Sequence, residues 1–236
     1  MSGESAPHRE VKSKNFIPKV MFLAPIARPR RNPSGNGFEF DGEIGIWPFV
    51  VQEPAKRSSR NRVRGTLVTK PINVSKEVFR SYLLEKMIPE IVRKWPVRRE
   101  QIRIQLYNAR PHISTNDPDF IEATRRIRGL SINLVRQPPN SPDVNVLDLG
   151  FFRSIQTLCD EEDPRNIHEM IQGVVQKFYE YNPELIDNVF LTLQNCMIEI
   201  LKNGGSNDYK IPHLGKQKLR NQGILPVSLV CPRGVL

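Results

Sequence analysis

Two segments of the chain, residues 105–113 and 137–152, concentrate polar side chains that could bind a metal ion or a substrate. These side chains belong to Tyr107, Asn108, His112, Asp143 and Asp148. Carboxylates are the ligands that Mg²⁺ and Mn²⁺ prefer, and two such ions can hold the attacking and leaving oxygens of a phosphodiester in line. A phenol with a pKa near 10 is a poor ligand for these ions at neutral pH. The carboxylates therefore decide what chemistry the two segments can support.

The periodicity of apolar residues predicts the elements that position these segments. Alternation over residues 101–107 indicates a strand. Apolar residues spaced by three and four from Val78 indicate a helix, with Ser75 as its N-cap and Pro89 as an interruption. Further strands are predicted at residues 19–27, 46–51 and 132–135, and further helices at 118–127, 148–159, 167–181 and 183–202. Strands followed by alternating helices and strands predict an α/β domain with a mixed sheet.

Both segments resemble the catalytic domain of mariner-superfamily transposases, which are DDE/DDD enzymes, in the branch of plant-type mariner-like elements. In that branch the segments read close to Gln-Gln-Asp-Asn-Ala-Arg-Pro-His and Pro-Pro-Asn-Ser-Pro-Asp-Leu-Asn-Val-Leu-Asp-Leu-Gly-Phe-Phe. Four other segments resemble the same branch in the same order: residues 14–24, 40–49, 65–72 and 205–213. The resemblance covers nearly the whole chain, and it implies an RNase H-like mixed sheet flanked by helices.

The resemblance also implies a role for each candidate residue. Asp148 occupies the position of a metal-binding carboxylate, whereas Tyr107 stands where the family has its second catalytic Asp. Asn108 and His112 are implied to orient the end of the strand. Asp143 follows a proline, which favours capping of a turn or helix over pairing with Asp148. Taken alone, Asp148 also fits an ordinary first-turn helix acid, and His112 a plain surface residue.

The family's first Asp lies in a segment that resembles Asp-Glu-Lys-Trp-Phe, and no such segment occurs in this sequence. The resemblance therefore implies a degenerate site that does not bind the Mg or Mn of the parent family productively, and an inactive enzyme. It also implies a sheet that lacks its central first strand. Such a sheet either splits or accepts another segment, and we expect marginal stability and self-association.

The expected organisation has three parts. Residues 1–15 are polar and are predicted to be a disordered or loose extension. Residues 16–162 are predicted to be a truncated RNase H-like catalytic domain. Residues 163–236 are predicted to be a helical C-terminal extension with an irregular tail.

The charge balance favours a polyanionic partner. Lys and Arg total 35 against 25 Asp and Glu, which gives a formal net charge of +10. Residues expected to contact DNA phosphates without reading sequence are Arg28, Arg30, Arg31, Lys56, Arg57, Arg60, Arg62 and Arg64. The run from Lys56 to Arg64 also fits a nuclear localisation signal or a solvated loop. The expected location of the protein is the nucleus. No apolar stretch approaches the length that spans a bilayer.

Three functional interpretations remain open from the sequence. The first is a transposase-derived domain that has lost activity, and the second is a non-catalytic basic module that binds DNA or another partner. The third is a relic without a selected function.

Overall fold

A computed structural model describes residues 19–60, 62–160, 164 and 166–234. The predicted extension at residues 1–15 lies outside this described part. The strands are β1 Phe22–Leu23, β2 Arg30–Arg31, β3 Phe38–Phe40, β4 Trp47–Pro48, β5 Val50–Pro54, β6 Leu67–Pro71, β7 Glu100–Leu106 and β8 Leu130–Arg136. The helices are α1 Lys76–Tyr82, α2 Ile88–Lys94, α3 Pro118–Arg125, α4 Phe152–Asp160, α5 Ile167–Tyr179, α6 Pro183–Lys202 and α7 Lys216–Asn221. The predicted mixed α/β class is confirmed.

The described strands form four separate pairs rather than one mixed sheet. The pairs β1–β4, β2–β3 and β5–β6 are antiparallel, and β7–β8 is parallel. In β7–β8 the register runs from Glu100 opposite Leu130 to Leu106 opposite Arg136. β7 is therefore an edge strand, because among the described strands only β8 pairs with it.

The helix predicted from Ser75 is present, and its interruption has a local cause. The Ser75 hydroxyl accepts a hydrogen bond from the Val78 amide at 3.3 Å and caps α1. A π-helical turn, Leu83–Met87, joins α1 to α2 and ends where the Ile88 amide donates to the Leu83 carbonyl. Pro89 lacks an amide hydrogen, and its ring would meet the carbonyl of the preceding turn. The wider turn accommodates that ring, so the two helices continue as one kinked unit.

The main core lies between this kinked helix and one face of the β7–β8 pair. The buried side chains that meet there include Phe79, Leu83, Met87, Ile91, Ile102, Leu106, Ile132 and Leu134. Burial of each such side chain contributes roughly 1.5 to 3 kcal/mol relative to exposure. This contact therefore fixes where β7 and β8 end, and hence where the loops that follow them begin.

A second apolar cluster ties the C-terminal helices to the N-terminal strands. Its buried members are Ala24, Ile46, Phe151, Ile155, Phe178, Tyr181 and Ile186. The cluster spans the predicted boundary at residues 162 and 163. Segment 22–46 and helices α4 to α6 consequently share one core.

The chain after α6 is more ordered than the predicted irregular tail. Gly204 and Gly205 adopt positive φ angles of 62° and 93°, and the Gly205 amide donates to the Ile200 carbonyl at 2.8 Å to end α6. The helix α7 then follows, and Arg220 within it donates to the Asn188 side chain on α6 at 2.8 Å. The short helix α7 thus lies within the segment predicted to be an irregular tail, and the contact to α6 holds it in place.

Asp117 links α3 to α1 through a buried carboxylate. Its Oδ1 accepts from the Phe120 amide at 3.1 Å, which caps α3, and its Oδ2 accepts from Arg80 Nη2 at 2.7 Å. The Asp117 side chain is 5% exposed and that of Arg80 is 28% exposed. The hydrogen bonds from Arg80 hold the pKa of Asp117 below its usual range, so this link stabilises the fold above the ordinary Asp pKa and weakens as the pH falls through the lowered value.

We expect Asp117→Ala to lower the free energy of unfolding by about 3 kcal/mol, because it removes a helix cap and leaves Arg80 without its buried partner. Urea denaturation of the purified chain at pH 7 measures this loss. Asp119→Ala is the matched control, since Asp119 also lies within 3.3 Å of Arg80 but its side chain is 63% exposed. It should cost less than about 0.5 kcal/mol. Equal losses of unfolding free energy in the two variants would contradict the claim that Asp117 links α3 to α1.

Candidate active site and basic surface

Tyr107 and Asp148 line the same cavity. The cavity has a volume of about 580 Å³ and lies beside the end of β7, and His112, Asn145 and the β1 strand also line it. Tyr107 follows directly after β7, while Asp148 lies in a π-helical turn, Leu147–Phe151, just before α4. The two segments singled out in the sequence therefore meet in space.

Hydrogen bonds fix the chain after β7. His112 Nδ1 donates to the Tyr107 carbonyl at 2.6 Å, and Asn108 Nδ2 donates to the Gln137 carbonyl at 2.9 Å. The His112 ring also stacks on Phe79, with ring centroids 4.2 Å apart, and meets the Tyr107 ring edge-on at 4.5 Å. Asn108 and His112 thus hold the chain after β7 in place. His112 itself is buried, unlike the plain surface histidine that the residue alone would suggest.

Asp148 is exposed and held by its own turn. Its Oδ2 accepts from Asn145 Nδ2 at 2.8 Å, and Asn145 Oδ1 accepts from the Leu147 amide at 3.1 Å. Gly150, within the same turn, has a φ of 141°, which a residue with a side chain rarely adopts. The carboxylate is therefore oriented by Asn145 and remains open to solvent.

The donors at this cavity do not fit a two-metal site. Asp148 supplies the single carboxylate among the lining residues, Tyr107 supplies a phenol, and His112 already uses Nδ1 for the strand end. Across the described ranges, no three His, Cys, Asp or Glu side chains are grouped so that they could hold a metal ion. One carboxylate leaves a pair of divalent cations without the bridging ligands that they need.

Asp143 does not line this cavity. It lies in a 3₁₀ turn, Pro142–Val144, and its Oδ2 accepts a hydrogen bond from the Tyr209 hydroxyl. Its role is thus to attach the chain after α6 to the loop before Asp148. Sequence reasoning missed Tyr209, because no local pattern relates residues that are 66 positions apart.

A basic loop joins β5 to β6. We define it as residues 56–64, and its described members are all exposed. A backbone pair between Ser59 and Arg62 and a hydrogen bond from the Arg64 amide to the Ser58 hydroxyl at 2.9 Å shape the turn. Within the described part of the chain, none of its five cations forms an ion pair: Lys56, Arg57, Arg60, Arg62 and Arg64. Their charges face solvent.

The three arginines of the other predicted phosphate-contact group are each paired with a carboxylate. The pairs are Arg28–Asp187 at 3.0 Å, Arg30–Glu100 at 2.8 Å and Arg31–Glu184 at 3.5 Å. Arg30 binds both oxygens of Glu100 and lies 5.4 Å from the Trp95 ring centroid. These arginines attach segment 28–31 to β7 and α6, which reduces the positive charge they offer to a phosphate.

Searches of this chain against protein-family models, curated proteins and solved structures returned no match. None of the described helices combines the length and apolar character needed to cross a membrane.

We expect His112 to stay neutral at pH values where a solvated histidine is protonated. Burial lowers its pKa and Arg136 adds to this effect, while the hydrogen bond to the Tyr107 carbonyl opposes it. Because the folded chain disfavours the charged ring, protonation should cost stability as the pH falls below the ordinary value of about 6.5. An NMR titration of the histidine ring carbons, assigned with His112→Gln, should give a midpoint below that value. A midpoint above it would contradict the burial argument.

Proposed function

We propose that this protein is derived from a mariner-like transposase and binds DNA through its basic loop without cutting it. The observation that carries the proposal is the loop itself, where five exposed cations lie on one hairpin connection without an ion pair in the described part of the chain. Cations that no protein carboxylate neutralises strengthen the binding of a polyanion most, because each phosphate contact then releases a condensed counterion. Binding of this kind positions the protein on DNA but does not read its sequence.

The descent from a transposase is supported by the two resembling segments, which lie far apart in sequence but line one cavity. The parallel pair β7–β8 and the kinked helix that covers it are the elements that bring them together. On this proposal the arrangement is what remains of an RNase H-like catalytic domain, and the protein acts in the nucleus, where its DNA partner is found.

The donors at the cavity favour binding over cleavage. Phosphodiester cleavage by this chemistry needs ligands for two divalent cations, and Tyr107 contributes a phenol where a carboxylate is needed. Asp148 alone can hold a hydrated Mg²⁺ or Mn²⁺ only weakly. The chain's own residues can therefore orient Asp148, but they do not complete the site.

Replacing Arg60, Arg62 and Arg64 by Gln should weaken binding to a DNA duplex of mixed sequence, in EDTA, by at least about tenfold at low salt. The slope of log K against log salt should fall by about one for each phosphate that the variant no longer neutralises. Fluorescence anisotropy at several salt concentrations measures both quantities.

The matched control for this experiment replaces Arg125, Arg126 and Arg128 by Gln, which removes the same charge from positions near the end of α3. This variant should keep most of the affinity. An equal loss of affinity in both variants would mean that net charge, rather than the loop, attracts DNA. Undiminished binding by the loop variant would overturn the proposal.

Purified protein with Mg²⁺ or Mn²⁺ should not nick supercoiled plasmid above the level of a buffer blank, because the cavity supplies a single carboxylate. Gel electrophoresis of the plasmid measures this directly. Robust nicking that disappears in Asp148→Ala would show that the site is active, while leaving the test of DNA binding in EDTA unaffected.

A further inference from the structure

One continuous groove separates the N-terminal strand segment from β7. It consists of two adjoining cavities of about 580 Å³ and 350 Å³. Both cavities are lined by Pro25, Met87, Ile104 and Leu147. We call this space the central groove, and it runs along residues 20–28 on one side and along 102–107 on the other.

The β7 side of the central groove carries unpaired backbone groups. Parallel strands bond through alternate residues, and the Leu106 carbonyl accepts from the Gln137 amide at 2.9 Å, on the β8 side. The backbone groups of the alternate residues point the opposite way, so the amides and carbonyls of Gln101, Arg103 and Gln105 lie on the other edge of β7. Arg103 and Gln105 line the groove. Among the described strands, none pairs with this edge.

The opposite side of the groove, formed by residues 20–28, also presents a strand edge. The Met21 carbonyl accepts from the Phe49 amide at 2.8 Å, and the Ala27 amide donates to the Gly42 carbonyl at 2.7 Å, both away from the groove. By the alternation of a strand, the backbone groups of Phe22, Ala24 and Ile26 point toward the groove, which residues 20–28 line throughout. Two strand edges therefore face the same space.

The remaining two walls are mostly apolar, although Asn145 and Asp148 also line the groove. One wall is formed by the helical side chains of Phe79, Met87 and Ile91, and the other includes Leu147, Phe190 and Leu193. Side chains entering from an extended segment would point alternately at these walls. Such a segment would have to be apolar on both faces, as buried strands are.

We propose that the central groove binds an extended, apolar segment of a partner protein by β-strand addition. The segment lies beside β7 and pairs with the backbone of Gln101, Arg103 and Gln105, while its side chains fill both apolar walls. A helix would leave these backbone groups without partners. Since β7 has seven residues, the paired stretch is about 20 Å long at the usual rise of a strand. This inference concerns a different surface from the basic loop and does not depend on DNA binding.

The test uses the capped peptide Lys-Lys-Val-Ile-Val-Val-Ile-Val-Lys-Lys as a probe, added to the whole chain. Backbone amide exchange measured by NMR should slow by at least about tenfold at Gln101, Arg103 and Gln105 when the peptide saturates the protein. The control peptide has the same side chains but alternate N-methylated amides, and it should give no such protection. Absence of protection with the first peptide, or equal protection with the second, would overturn the proposal.

A pair of variants tests the edge itself. Arg103→Pro removes an amide that faces the groove and takes no part in the hydrogen bonds of the β7–β8 pair, whereas Arg103→Ala keeps that amide. Peptide affinity should fall by at least about tenfold in the first variant and persist in the second. Equal affinity would count against strand addition. Protection that appears without peptide and rises with protein concentration would instead assign the groove to a second copy of the chain, which would also overturn the proposal.

Discussion

The packing of the kinked helix α1–α2 on one face of β7–β8 is the contact on which the rest of the structure depends. It sets the ends of both strands, from which the Tyr107 and Gln137 loops start. The hydrogen bond from Asn108 then joins the two loops, and the one from His112 fixes the Tyr107 loop. The same packing leaves the second edge of β7 facing the central groove. The candidate catalytic cavity and the proposed strand-binding groove are therefore consequences of one arrangement, and they share Tyr107, Asp148 and Leu147 as lining residues.

Positive charge is used in two different ways in this chain. In segment 28–31 each arginine lies against a carboxylate of β7 or α6, so its charge contributes to tertiary structure. In the basic loop the cations meet solvent, where a fixed protein partner does not compete with a phosphate. Net charge alone does not distinguish these cases. The distinction between structural and available cations is what locates the proposed DNA contact on the β5–β6 connection.

Local sequence signals predicted much of the secondary structure. Ser75 marks the start of α1, Pro89 marks its interruption, and α6 runs from Pro183 to Lys202 as its apolar spacing and flanking residues indicate. Long-range pairing was not predictable in the same way. The carboxylate partners of Arg28 and Arg30 lie 159 and 70 residues away, and the hydroxyl partner of Asp143 lies on the chain after α6. The separation of the strands into four pairs likewise depends on which edges meet, and periodicity within a strand does not determine that.

The decisive experiment is NMR mapping of the surface that meets DNA, with a short duplex of mixed sequence added to the labelled chain in EDTA. If the basic loop binds DNA, backbone amide shifts should change in that loop and in the adjoining ends of β5 and β6, and these changes should fade as salt is raised. Changes centred on Arg28 and Arg30, or on the cavity of Tyr107 and Asp148, would contradict the assignment of the DNA contact. No change at any concentration short of precipitation would contradict DNA binding itself.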